Sequence, residues 1–305
     1  MPQGSILGPL IFTIFSNDLS EFLSCEIDQY ADDNTLSSVK PSIEEINVNL
    51  NVNCQAISEW MYTNKMCLNA DKTHLMICGT GHRLSKISQD NISISIDDTR
   101  LERSDSDFEN VLGVSLQQNL KWTKHVQNLQ SKLKVRLAGL RKIRNILSFD
   151  RRNQVAKAIF ESVLIYCIPA WGGTFKGNIE DLQVLQNRAA EFVLQLPGRS
   201  NREQMFHRLG WLTVHQLAVF HTILAVYKIR KSKEPEYLAR KLTRDNLRGN
   251  IIVPYTHLTL LKRSFVLRGS ELWNRLPMSV RSLKKDMEFK TELRKWVTEQ
   301  VNKFL

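Results

Sequence analysis

The stretch Glu26-Ile27-Asp28-Gln29-Tyr30-Ala31-Asp32-Asp33-Asn34-Thr35-Leu36-Ser37 decides how the first third of this chain is read. Its residues alternate, with β-formers on both sides of an acidic pair, which predicts a hairpin with Ala31-Asp32-Asp33-Asn34 at its tip. Two divalent ions about 3.5–4 Å apart assist phosphoryl transfer, and they need several converging carboxylates. Neighbouring residues on a regular strand point to opposite faces. Asp32 and Asp33 can therefore both serve only in a tight turn; a solvated turn is the other reading of the pair.

Outward from the hairpin, residues 6–23 predict a mostly buried helix after the turn Pro2-Gln3-Gly4-Ser5, with Pro9 tolerated in its first turn. Ser42 followed by Glu45 forms a capping box, and Ile43, Ile46, Leu50, Ile57, Trp60 and Met61 predict a helix over 42–64. Met66-Cys67-Leu68 and His74 to Cys78 flank Asn69-Ala70-Asp71-Lys72 as a second hairpin. Short strands near Ile92–Ile96 and Val111–Val114 would complete a small sheet. From Trp122 the apolar period steps by three and four through Val126, Leu129, Leu133, Leu137, Leu140, Ile143 and Leu147. That is a long amphipathic helix whose other face bears Lys124, Lys132, Lys134, Arg136, Arg141, Lys142 and Arg144. Further helices are expected at about 150–168, 178–195, 202–208, 213–231, 235–241 and 285–303.

The 305 residues suffice for one large domain or two ordinary ones, and 42% apolar with 24% charged residues is ordinary for a globular protein. Charge is unevenly spread. Residues 1–110 hold 7 Lys/Arg against 17 Asp/Glu, and residues 111–305 hold 35 against 14. An acidic third that can attract cations thus precedes a basic remainder suited to phosphate backbones, or one that is simply well solvated. The five cysteines are odd in number and lack C-x-x-C spacing, which argues for reduced thiols in an intracellular (nuclear or cytoplasmic) protein. No run approaches the roughly 18 apolar residues of a membrane helix. None of the seven histidines has metal spacing with a cysteine, and His125 and His221 read as packing or surface residues.

Taken in order, Pro2-Gln3-Gly4-Ser5-x-x-Gly8-Pro9, Asn17-Asp18-Leu19, Tyr30-Ala31-Asp32-Asp33 and Leu68-Asn69-x-Asp71-Lys72-Thr73 resemble the reverse transcriptases of non-LTR (LINE-type) retrotransposons. So do Val111-Leu112-Gly113-Val114 with Leu120-x-Trp122-x-x-His125, and Tyr166-x-x-Pro169-x-Trp171-Gly172. Phe265 with Gly269, and Leu272-Trp273-Asn274-x-Leu276-Pro277-x-x-x-Arg281, resemble the C-terminal region of jockey-type and chicken-repeat-type elements. The resemblance implies an RNA-directed DNA polymerase, a nucleotidyltransferase working with two Mg²⁺ ions, dNTPs, an RNA template and a DNA primer. It places Gln3 and Gly4 at template and nucleotide, Tyr30 by the primer end, and Asp32 and Asp33 at the metals. Lys72 would help protonate the pyrophosphate leaving group, unless it is only a solvated turn lysine. Leu112 and Gly113 would grip the primer, and the helices after residue 122 would follow the RNA–DNA hybrid.

The expected fold is α/β followed by all-α. Residues 1–115 would be a partial reverse-transcriptase palm, a small antiparallel sheet plus helices; 116–200 a helical thumb-like region; and 201–305 a helical C-terminal region. The family's other palm aspartate and its fingers should precede the Pro-Gln-Gly loop, which here begins at residue 2. That spacing predicts a fragment inert alone, with Met1 an internal methionine of a longer frame, or a non-catalytic remnant binding nucleic acid through its basic helices.

Overall fold

Pro9 has a fixed φ and no N–H to lose, so it opens a helix without penalty; α1 (Gly8–Ser16) starts around it. A computed structural model of the chain describes residues 4–88, 91–97, 99–102 and 106–300. They divide into two compact units, which meet in sequence between Glu109 and Asn110. In the first, α1 passes into a 3-10 turn (Asn17–Phe22) whose Leu19 is buried. The expectation of a mostly buried helix is corrected here. No residue of α1 is buried, and Leu10, Ile11 and Ile14 face solvent. Local preferences suffice to form a helix, whereas burial needs a facing surface; Phe15 finds one in the Trp60 ring, 5.7 Å away.

β1 (Glu26–Tyr30) and β2 (Asp33–Ser37) pair antiparallel, with Ile27 opposite Leu36. Both side chains pack on a small core of Leu19, Ile57 and Trp60. α2 (Ile43–Thr63) begins at Ser42, whose hydroxyl accepts the Glu45 N–H at 3.2 Å. Four asparagines at every second position of α2 then tie it to extended chain on two sides. Asn53 accepts the N–H of Ser24 and of Cys25 at 2.7 and 3.2 Å, and Asn49 accepts the Ser38 hydroxyl at 2.8 Å. Asn47 and Asn51 bond the backbone of residues 91–95. A second small core of Cys54, Ile92, Ile94, Ile96 and Leu101 lies against α2.

The second expected hairpin does not form. Asn69 instead caps a 3-10 turn (Ala70–Lys72) by accepting the Lys72 N–H at 3.2 Å. The flanking Leu68, Leu75 and Ile77 reach the cores as single side chains, which needs no ladder. The short helix α3 (Gly81–Leu84) follows. β3 (Ser95–Ile96) pairs with β4 (Thr99–Arg100), and β5 (Phe108–Val111) with β6 (Val114–Gln117). The described strands therefore make three separate two-stranded sheets rather than one small sheet. The α2 asparagines occupy backbone groups that neighbouring strands would otherwise use.

The second unit is helical beyond β6. α4 (Thr123–Lys142) buries Val126, Leu129, Leu133, Leu137 and Leu140, the expected stripe, and ends five residues earlier than the periodicity suggested. α5 (Phe149–Ala156), a π-turn (Lys157–Glu161) and α6 (Ser162–Leu164) make one continuous rod, followed by α7 (Ile168–Trp171) and α8 (Lys176–Leu194). α9 (Arg202–Leu209) leads into α10 (Val214–Ser232), which the capping box of Thr213 and Gln216 starts. α11 (Glu236–Leu242), α12 (Thr259–Lys262), α13 (Phe265–Asn274), α14 (Met278–Arg281) and α15 (Asp286–Gln300) complete the described residues. α10 runs through the middle, with Val214, Ala218, Thr222, Ile223 and Val226 inaccessible, and packs on α7, α13 and α15.

Candidate active site

A two-residue loop joins strands with least splay when its first residue has positive φ. Tyr30 pairs with Asp33, so the loop is Ala31-Asp32, and Ala31 sits at φ +53°. A left-handed alanine costs about 1–2 kcal/mol, so strain is held at this tip. Because Ile27 and Leu36 face the core, the alternation of side chains puts Asp28, Tyr30 and Asp33 on the outer face. Asp32 lies at the end of the loop. Both carboxylates and the Tyr30 ring are exposed. Two oxygen donors of the type Mg²⁺ prefers thus stand side by side. Among the described residues, however, no group of three His, Cys, Asp or Glu side chains could hold a metal ion. The donors fit a divalent cation in kind and fall short in number.

The other expected site residues lie apart from this tip or carry other contacts. Gln3 lies outside the described residues. Gly4 is exposed at φ +88°, a conformation that favours glycine. Lys72 is exposed in its 3-10 turn, and neither hydrogen bond nor ion pair joins it to Asp32 or Asp33.

Leu112 and Gly113 form the turn of the β5–β6 hairpin, at φ +47° and +81°. Here the structure supplies contacts that sequence reasoning did not foresee. The Tyr166 hydroxyl donates to the Leu112 carbonyl at 2.7 Å. The Tyr166 carbonyl accepts from Trp171 Nε1 at 2.8 Å. On β6, the Ser115 N–H donates to His125 Nδ1 at 3.2 Å, and Asn128 donates to the Ser115 hydroxyl at 2.9 Å. Gln117 accepts the Lys124 N–H at 2.8 Å, closing the start of α4 that Trp122 leaves uncapped. The three motifs around residues 112, 125 and 166–171 are therefore one interlocked turn support. A signal was present in the sequence, since all three stand in a fixed order, but order does not reveal which atoms meet.

His125 is the pivot of that support. It is 6% exposed, 5.5 Å from the Trp171 ring and 6.3 Å from Trp122. Burial, with a smaller contribution from the Lys132 charge, pulls its pKa down to about 4. Its Nδ1 accepts, so the ring proton belongs on Nε2, which is buried without a partner. It is a packing residue, as its helical setting suggested.

The basic face of α4 is real. The helix contains no Asp or Glu, and Lys132, Lys134, Arg136, Arg141 and Lys142 are exposed and outside every ion pair among the described residues. Unpaired exposed cations in a row produce a positive potential that screening reduces but does not abolish at physiological salt.

Residues 1–129 match the family described as reverse transcriptase (RNA-dependent DNA polymerase). The chain is 24% identical over 255 residues to the RNA-directed DNA polymerase from the mobile element jockey of Drosophila melanogaster, covering 79% of this chain and 26% of that protein. It is 25% identical over 253 residues to the probable RNA-directed DNA polymerase from transposon BS of the same fly, covering 79% and 27%. With the corresponding protein of its X-element it shares 22% over 283 residues, covering 87% and 30%. The chain thus spans roughly a quarter of the length of these curated relatives, and no solved structure matches it. Motif order, hairpin geometry and these likenesses point the same way: residues 1–129 match the reverse transcriptase family, and the relatives that the chain resembles are named as RNA-directed DNA polymerases of mobile elements.

Proposed function

We propose that the chain is part of an RNA-directed DNA polymerase and that the Ala31-Asp32 loop carries its share of a two-metal nucleotidyl-transfer site. The observation that carries this reading is the strained, solvent-facing tip presenting Asp32 and Asp33 together. Bound divalent ions would neutralise charge on the transferred phosphoryl group. What these residues do is offer oxygen donors at a fixed tip, with Tyr30 on the same outer face as Asp33. The β5–β6 turn at Leu112 and Gly113 would bear on the primer, in keeping with how firmly Tyr166 and His125 hold it. Residues 1–115 then correspond to palm and 116–200 to thumb.

Primer extension on poly(rA)/oligo(dT) with Mg²⁺ or Mn²⁺, alongside Mn²⁺ binding followed by water-proton relaxation, tests this. Two described carboxylates make a weak cation site. The expected result is weak Mn²⁺ binding that Asp32→Asn removes, and little or no extension by the 305-residue chain. Primer synthesis unaffected by Asp32→Ala would refute the assignment.

A second reading rests on the charge asymmetry and the unpaired cations of α4: the helical unit binds nucleic acid without chemistry of its own. Filter binding to an RNA–DNA duplex across a salt series should then show a steep slope, and a flat one would count against it.

A further inference from the structure

The helical unit contains a cavity of about 1560 Å³ bounded by α8, α9, α10, α13 and α15. Eight Lys or Arg side chains line it against four glutamates, so its field is positive. Arg268 of α13 lies in its wall and donates to the buried Thr222 hydroxyl at 3.2 Å. No carboxylate among the described residues pairs with it. Burial lowers its pKa to about 10, which still leaves it charged at neutral pH. His215 lines the same space with a buried Nδ1 that has no hydrogen-bond partner. A partly buried guanidinium without a counter-charge and an orphaned ring nitrogen on the same lining are both groups that an entering anion would satisfy. The wall is also cut back at Gly173, where an added Cβ would lie 2.7 Å from the Arg263 carbonyl oxygen and 3.2 Å from Arg268 Cδ.

We infer that this cavity seats a phosphate group of a single-stranded nucleic acid, with Arg268 as the anchor and the exposed Lys262 and Arg202 on its lining drawing in the adjoining backbone. The inference rests on the second reading above and names its site. A planar guanidinium suits phosphate because it can present two parallel N–H groups. The volume exceeds the roughly 300–1,000 Å³ of pockets for drug-sized ligands, leaving room for more than one nucleotide. Arg263, stacked 3.8 Å from the exposed Phe175 ring, adds the aromatic and cationic surface on which single strands stack. A stiff duplex carries its phosphates on the outside of a broad cylinder and would touch only the mouth. The α4 face, being open, accepts either.

The test is fluorescence anisotropy of a short labelled oligothymidylate with the full chain, with a duplex of equal length as comparison and inorganic phosphate as competitor. Arg268→Gln and Lys262→Glu should each weaken single-strand binding by about tenfold, while Lys241→Glu on α11, exposed and outside both the cavity and α4, should leave it nearly unchanged. Circular dichroism checks that Arg268→Gln folds; if it does not, the exposed Lys262→Glu carries the test. Absence of any nucleic-acid binding refutes both the reading and the site. Binding that falls with Lys134→Glu on α4 yet ignores both cavity variants refutes the site alone. Displacement by inorganic phosphate as effective as by unlabelled strand would mean that the cavity takes free phosphate, and would overturn the assignment to a strand.

Discussion

His125 should make the helical unit acid-sensitive, by an amount that follows from its surroundings. Its folded-state pKa is about 4, against 6.5 for a free imidazole. Below pH 6.5 the unfolded chain takes up a proton that the folded chain refuses, so stability falls with falling pH. The contribution is complete above pH 6.5 and is lost as pH drops towards 4. At pH 5 the loss relative to pH 7.5 is about 2 kcal/mol, and below pH 4 it approaches about 3 kcal/mol. Burial is the main cause, and the side chain is almost inaccessible, so solvent screening takes little from this figure. Urea unfolding followed by tryptophan fluorescence reports on this unit, which holds five of the six tryptophans. The comparison is with His125→Gln, whose amide oxygen can still accept the Ser115 N–H. Burial also pulls down the pKa of His215 and of His221, but they act equally in both proteins. The difference in pH dependence between wild type and variant therefore isolates His125. Parallel stability curves from pH 7.5 to 5, or a ring titration for His125 centred near 6.5 by NMR, would refute the reasoning.

Leu133 is fully buried in the α4 stripe, and Leu133→Ala should cost about 3 kcal/mol of unfolding free energy, read as a lower urea midpoint. In the first unit, Asn53→Ala removes the acceptor of two backbone N–H groups and should cost about 1–2 kcal/mol, with faster amide exchange at Ser24 and Cys25; unchanged exchange would contradict it. Gly113→Ala forces a side chain onto φ +81° and should cost about 1 kcal/mol, although its Cβ would meet Tyr166 only at an ordinary 3.6 Å. A neutral result at Gly113 would show that the turn relaxes rather than being held by Tyr166.

The parts of the fold visible beforehand were those that local chemistry specifies. The Ser42 side-chain cap started α2, without the reciprocal Glu45 bond of a full capping box, the three-four spacing from Val126 to Leu140 gave α4, and alternation around Tyr30 gave the hairpin. Pairing between distant segments was not visible. Residues 66–78 have the composition of a hairpin, but Asn69 diverts them into a turn and Leu75 and Ile77 are satisfied by packing. α1 is apolar on all sides yet lies in solvent, because sequence reports the wish for burial and not the surface that grants it. At the site, Asp32 and Asp33 were legible as a tip. Tyr166 beneath Leu112, and Arg268 and His215 on one cavity lining, were not, since each juxtaposition brings together residues some fifty positions apart. A clue did exist in Phe265-Val266-Leu267-Arg268-Gly269, where one arginine interrupts an apolar helical run.

The asparagines of α2 work as a vernier between two lattices. Four residues along a helix advance about 6.0 Å, and two along an extended strand about 6.8 Å. Asn47 spans Asn91 and Ser93, and Asn51 spans Ser93 and Ser95. The next mark would be residue 55, by which point the two scales have drifted about 1.6 Å apart. Gln55 turns to Glu59 instead, at 2.8 Å, and the strand swings away at Asp97 through φ +46°. A helix can therefore template extended chain for only about two steps, and this incommensurability limits how far the segment leading into β3 can run beside α2.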